Sequence, residues 1–349
     1  MIARALVFVL LSSAACSGGG NEPRATDAPV AVVDGATVVD GATPIDGSAA
    51  IDAATAADPG RPGRYRSLVT ETVRIPIGAT ATMAGTVCAP STDGTTPAAG
   101  PFPLVVLSPG FQLGRAQYRL YCDHLATWGY VVISRDYGAT GNHQAKAAEV
   151  ARAIDWALGT ASGLAARIDA TRIAVAGHSL GGKVSINAAI VDARVRAVIG
   201  WDPVDSLPPF TNDGSASVTP ELMAGLTVPF AVLGELGDST GGLGGGCAPL
   251  ADNYQQFYTR SCGAPAALEV TITGADHTDW IGDRSTCGLA CLACSDGATA
   301  DTTVRTITQR VTTAWLERHL RGDVSMDAWL SAPGIGAPTT VRAGVPTCP

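Results

Sequence analysis

Residues 172–182 read RIAVAGHSLGG, and this stretch decides the fold. Arg172 to Ala176 is a short apolar run of the kind that makes a buried strand. Gly177-His178-Ser179-Leu180-Gly181-Gly182 follows, a G-x-S-x-G pattern, and Gly182 to Ile190 reads as a helix. A serine between a strand and a helix sits in a tight, strained turn. The residues two before and two after it must then lack side chains. Its Oγ projects from the strand end, and the helix N-terminus puts positive potential beside it. The chain has 41 glycines, so the pattern alone is weak. The strand before it and the helix after it give it meaning.

Working outward, strands and helices alternate on both sides. Leu68 to Ile77 and Thr82 to Cys88 read as an antiparallel pair turning at Gly78. Leu104 to Leu107, Tyr130 to Ser134, Val195 to Gly200, Phe230 to Leu233 and Leu268 to Thr273 read as further strands. Arg115 to Trp128, His143 to Leu158 and Thr302 to Leu320 read as helices. In the second of these, Ala147, Val150, Ala151, Ile154 and Leu158 share one face. The alternation predicts an α/β class: a mostly parallel, doubly wound sheet of about eight strands with helices on both faces. About 25 residues separate Asp202 from the next strand, too few for a large cap domain, so an open site is expected. Such sheets place their chemistry at the carboxyl ends of the strands, here after Leu107, Ala176, Gly200, Leu233 and Thr273.

A serine hydroxyl is a poor nucleophile until a base takes its proton. The chain has five histidines. His124 and His143 lie upstream on helices, His178 points away from the serine in such a turn, and His319 ends the last helix. His277, in Gly274-Ala275-Asp276-His277-Thr278-Asp279-Trp280, directly follows the last strand and is the expected general base. The acid that orients it has two candidates. Asp202 follows one strand and Asp238 the next, with Asp205 a distant third. The oxyanion hole needs two backbone N–H groups. Leu180 is one expected donor and Phe111, in Ser108-Pro109-Gly110-Phe111-Gln112, the other. Trp201 and Trp280, with Phe111 and Leu180, are candidates to line an apolar substrate pocket. The chemistry needs no metal or cofactor.

Charge and cysteine usage set the surroundings. The net charge is −8, and lysine occurs only at 146 and 183, which argues against a nucleic-acid partner. Seven acids and two arginines fall in residues 1–60, so −5 of that charge lies ahead of the folded part. Residues 1–16 read as a secretory leader, with Arg4, a short apolar run and small residues before Cys16. Residues 17–64 read as a disordered Asp/Ala/Gly-rich tether, with Asp34, Asp40, Asp46 and Asp52 spaced by six. Residues 65–349 read as the catalytic domain. Setting Cys16 aside leaves eight cysteines, an even number suited to disulfides in an oxidising compartment. Cys287, Cys291 and Cys294 form C-x3-C-x2-C, which export makes a poor iron–sulfur motif and which lacks an obvious fourth ligand for zinc. Cys247–Cys262 is the expected pair, because both sit in one insertion.

Two resemblances follow from these residues. Cys16, preceded by small residues, resembles the lipidated cysteine of bacterial lipoproteins, although Ser13 stands where that pattern has Leu. It implies a cell-envelope lipoprotein or, failing that, a secreted protein, with membrane contact only through the lipid. Residues 100–320 resemble the chlorophyllase branch of the α/β-hydrolases, with links to platelet-activating-factor acetylhydrolases and cutinase-like polyester hydrolases. Gly177 to Lys183 match G-H-S-x-G-G-K, with Leu180 where chlorophyllases have Arg. Asp202 to Val204 match D-P-V, and the 23-residue spacing from Ser179 suits the acetylhydrolases. Cys247-Ala248-Pro249, Asn253, Phe257-Tyr258 and Cys262 match an insertion, and His277 and Asp279 match H-x-D. The resemblance implies an α/β-hydrolase fold, a triad of Ser179, Asp202 and His277, and a small or polymeric ester as substrate. The alternatives are a cutinase-like depolymerase and an inactive binding protein on a hydrolase scaffold.

Overall fold

Nine strands form one sheet in the order β1-β2-β4-β3-β5-β6-β7-β8-β9. The structure is a computed structural model. It describes residues 57–138, 142–205, 217–219, 221–240, 246–287, 291 and 294–348. Residues 1–16, where a leader is expected, Cys16 among them, and the acidic hexads lie outside the described residues. So do most of the segment after Asp205 and residues 241–245 of the Gly-rich loop.

The strands are β1 (Arg66–Pro76), β2 (Thr82–Ser91), β3 (Phe102–Ser108), β4 (Val131–Arg135), β5 (Ile168–His178), β6 (Val195–Trp201), β7 (Phe230–Gly234), β8 (Ala267–Ile272) and β9 (Thr339–Ala343). The central six, β4 to β8 with β3 between β4 and β5, are parallel. β1, β2 and β9 join antiparallel at the two edges. The main helices are α1 (Arg119–Thr127), α2 (His143–Leu158), α3 (Leu180–Val191), α4 (Tyr254–Thr259), α5 (Asp301–Leu320) and α6 (Ala332–Ile335). This is the α/β-hydrolase fold.

Alternation along the central strands sorts the core into two layers. Leu104, Val106, Ile173 and Val175 pack with α2 and α3 on one face. Val105, Leu107, Ala174 and Ala176 pack with α1 and α5 on the other. Small residues fill β5 because helices press on it from both sides. Among the described residues no helix is long and apolar enough to cross a membrane.

Three expectations change. The sheet has a ninth strand, β9, whose Thr339–Ala343 pair with Ile272–Leu268. The folded unit begins before residue 65. Asp58 pairs with Arg310 at 2.9 Å, Gly63 N–H donates to Thr127 Oγ1 at 2.8 Å, and Trp128 Nε1–H donates to Arg61 O at 2.8 Å. The disulfides are Cys88–Cys122, Cys247–Cys294, Cys262–Cys348 and Cys287–Cys291. Cys247 therefore does not pair with Cys262. It is joined to the loop beyond His277, whereas Cys262 holds the C-terminal segment.

Candidate active site

β5 ends at His178 and α3 begins at Leu180, which leaves Ser179 alone in the turn. Its φ is +55°, a strained conformation for a residue with a side chain. Its N–H donates to Trp201 O at 2.9 Å, so the neighbouring strand fixes it. The flanking glycines answer to backbone contact. A Cβ on Gly177 would lie 2.4 Å from Gly181 O, and one on Gly181 would lie 2.1 Å from Ser108 O. No side chain fits at either position. The turn presses against the loop after β3, and Ser179 is left half-buried and accessible.

His277 stands in the turn after β8. Its Nε2 is 2.9 Å from Ser179 Oγ, and its Nδ1 is 2.6 Å from Asp202 Oδ2. Asp202 directly follows β6, with φ +43°, and its N–H donates to Leu233 O at 2.7 Å. It is fully buried. Burial pushes its carboxyl up, and the His277 ring N–H pulls the other way. Asp238 serves the backbone of the same histidine. Its Oδ2 accepts the His277 N–H at 2.9 Å and its Oδ1 the Ser295 N–H at 2.6 Å. Asp205 turns away to a buried ion pair with Lys183 at 3.1 Å. Of the three aspartates, Asp202 is the one that faces the imidazole nitrogen.

The turn carrying His277 is braced from below. Asp276 N–H donates to Asp279 Oδ2 at 2.8 Å, and Arg284 pairs with both carboxylates. On the β3 side, no acceptor is found for the N–H of Phe111 or of Leu180 among the described residues. Backbone N–H groups without an acceptor among the described residues are the kind of donor a developing oxyanion needs.

The family described as Chlorophyllase matches residues 70–343. The chain belongs to that family. Among its curated relatives, the bis(hydroxyethyl) terephthalate hydrolase of Streptomyces coelicolor is 28% identical over 187 residues, covering 52% of this chain and 53% of that protein. Chlorophyllase-1 of Citrus sinensis is 25% identical over 249 residues, covering 65% and 72%. Cutinase 2 of Thermobifida cellulosilytica is 32% identical over 101 residues, covering 28% and 38%. The chain thus spans about half the length of the first of these.

Within this chlorophyllase-family chain, two expected pocket residues are elsewhere. Trp201 and Trp280 have no exposed surface, so neither lines an open pocket. Trp201 packs on Tyr121 at 4.4 Å and donates Nε1–H to Thr312 Oγ1 at 3.0 Å. Trp280 stacks on His178 at 6.0 Å. Alternation explains Trp201: it continues the β6 face of Ala197 and Ile199, which looks onto α5. A cavity of 580 Å³ lined by Arg64, Phe102, Arg172 and Arg321 lies at the opposite, amino ends of the strands, away from Ser179.

His178 was legible only as a residue turned from the serine. Its Nε2–H donates to His277 O at 2.9 Å, and its Nδ1 accepts from Tyr118 O–H at 2.9 Å. Tyr118 in turn accepts the Gly110 N–H at 3.0 Å. Burial first, and the neighbouring His277 ring second, hold His178 well below its ordinary range, so it is neutral. One buried chain of bonds thereby ties the β3 loop to the His277 turn. Among the described residues, two groupings contain metal-type donors: Asp238 with Cys247 and Cys294, and Asp202 with Glu235 and His277. In the first, the two sulfurs are bonded to each other, and in the second, His277 Nδ1 is engaged by Asp202.

Proposed function

We propose that this chain is an exported serine carboxylester hydrolase that works through an acyl-enzyme. The observation that carries the reading is the hydrogen-bonded series Ser179 Oγ–His277–Asp202 at the carboxyl ends of β5, β6 and β8. Ser179 Oγ attacks the ester carbonyl as His277 Nε2 takes its proton. Asp202 accepts the Nδ1–H, fixing the tautomer and stabilising the imidazolium. The N–H groups of Leu180 and Phe111 hold the oxyanion. The tetrahedral intermediate collapses, the alcohol leaves with the proton from His277, and water repeats the cycle on the acyl group. No cofactor enters the cycle. The leader, Cys16 and four disulfides support export, with lipid anchoring at Cys16 the finer expectation.

Hydrolysis of p-nitrophenyl esters from acetyl to palmitoyl by the full chain tests this. Turnover is expected to fall by on the order of a thousandfold or more in Ser179→Ala. Equal turnover in both proteins would reject the serine mechanism, and no turnover in either would favour the binding-protein alternative. A cutinase-like polyester depolymerase is the second reading, supported by the likeness to the Thermobifida cutinase. Release of monomer from polyester film, against hydrolysis of soluble bis(hydroxyethyl) terephthalate, separates the two.

A further inference from the structure

Among the described residues, two oxygens beside the His277 turn are sealed from solvent and have no hydrogen-bond partner: Asp202 Oδ1 and Glu235 Oε1. Asp202 follows β6 and Glu235 follows β7, and these strands are parallel neighbours with Trp201 opposite Leu233. Both residues have no exposed surface. An oxygen of each and a ring nitrogen of His277 lie within 4.8 Å of one another. Two carboxylates this close and this buried cannot both be charged without a large cost. One proton shared between the two orphaned oxygens would remove the repulsion and satisfy both.

The partners decide which carboxyl holds it. Asp202 Oδ2 receives the ring N–H of His277, which stabilises its anion. Glu235 has only backbone N–H groups, with Asp238 N–H on Oε2 at 2.9 Å. The titratable groups facing Glu235 are Asp202 at the β6 end, Asp238 in its own turn, His277 from the β8 turn and Tyr254 from α4. Burial first, and the Asp202 charge second, push the Glu235 carboxyl up to about 9.

We infer that Glu235 is a neutral carboxylic acid that donates its Oε1–H to Asp202 Oδ1, and so acts as a positioning residue for the acid that orients His277. A carboxylic acid kept neutral by its surroundings is an effective donor in a dry site. The bond fixes the rotation of the Asp202 carboxylate and leaves the site with one negative charge where two would repel. The inference rests on the esterase reading of Ser179, His277 and Asp202.

The test compares the full-length wild type with Glu235→Gln and Glu235→Leu. Glutamine keeps a neutral donor, and leucine keeps the bulk without it. Glu235→Leu is expected to lose about tenfold or more in kcat with KM little changed, because Asp202 Oδ1 is left buried and unsatisfied. Glu235→Gln is expected to recover most of that loss. Above about pH 9 the wild type should change activity as Glu235 ionises, and Glu235→Gln should not follow it. The direct readout needs no turnover. In a Ser179→Ala background at pH 7, the infrared difference spectrum should lose a protonated-carboxyl band on Glu235→Gln. Absence of that loss, equal impairment of the two variants, or one shared alkaline limb would overturn the inference. If Ser179→Ala proves as active as wild type, the esterase reading fails, while the infrared band still reports where the proton sits.

Discussion

Asp202 holds the His277 ring while Asp238 holds its backbone, so the two aspartates should separate in kinetics. Asp202→Asn is expected to lower kcat by about 10³–10⁴ through loss of the correct imidazole tautomer. Asp238→Asn should cost roughly 1–3 kcal/mol of stability through weakened bonds to the buried His277 N–H and the part-buried Ser295 N–H, with a much smaller loss of kcat. Denaturant unfolding alongside steady-state kinetics on both variants checks this. Tyr118→Phe removes both the acceptor for Gly110 N–H and the donor to His178. It should lower kcat more than it raises KM, since it loosens the β3 loop that carries Phe111. The sequence placed Ser179 and His277 by local pattern and elimination. It could not choose between Asp202 and Asp238, because both follow neighbouring strands. Only the side-chain direction separates them, set for Asp202 by its φ of +43°. His178 and Glu235 escaped for a related reason. Their roles consist of bonds to residues that are remote in the chain.

At the scale of elements, strong local patterns survived intact. The apolar stripe of His143–Leu158 became α2 with those bounds, and the run before the serine became the central strand β5. The β9 strand was illegible because its exposed edge residues show no apolar alternation, and pairing with β8 alone defines it. The polar segment from residue 57 to 64 gave no signal either. Its order comes from Arg310, more than 240 residues away, and from α1. The cysteine pairing departs from expectation for the same reason: nearness in sequence is not nearness in space. Cys247–Cys294 joins the Asp238 neighbourhood to the loop past His277, where Ala248 N–H also meets Asp238 O at 3.1 Å. A Cys247→Ser, Cys294→Ser double variant should therefore lose kcat as well as stability. Removing Cys262–Cys348, which closes 86 residues, should cost about 4–5 kcal/mol in the chain-entropy model and spare kcat. Thermal melts and kcat on the two double variants test the contrast.

For the whole molecule, buried histidines set the acid limit. Burial holds the His124 ring down to about 4, and His178 well below its ordinary range. The folded state keeps both neutral, whereas the unfolded chain takes up protons below about 6.5. Their contribution is therefore fully present above pH 6.5 and is lost as pH falls toward 4, by up to about 1.4 kcal/mol per pH unit for each ring. Urea midpoints measured between pH 4.5 and 7.5 should fall with acid over that window. Glu235 acts with the opposite sign at the alkaline end. Its raised carboxyl makes the fold less stable as pH climbs from about 4.5 to 9, so Glu235→Gln should gain on the wild type across that range. The central claim is that Ser179 is a nucleophile made reactive by His277. Intact-mass analysis and peptide mapping after treatment with a fluorophosphonate test it most directly. A single adduct on Ser179, forming about a hundredfold or more slower in His277→Ala, is the predicted result. No adduct, an adduct on another residue, or labelling that ignores His277→Ala would contradict it.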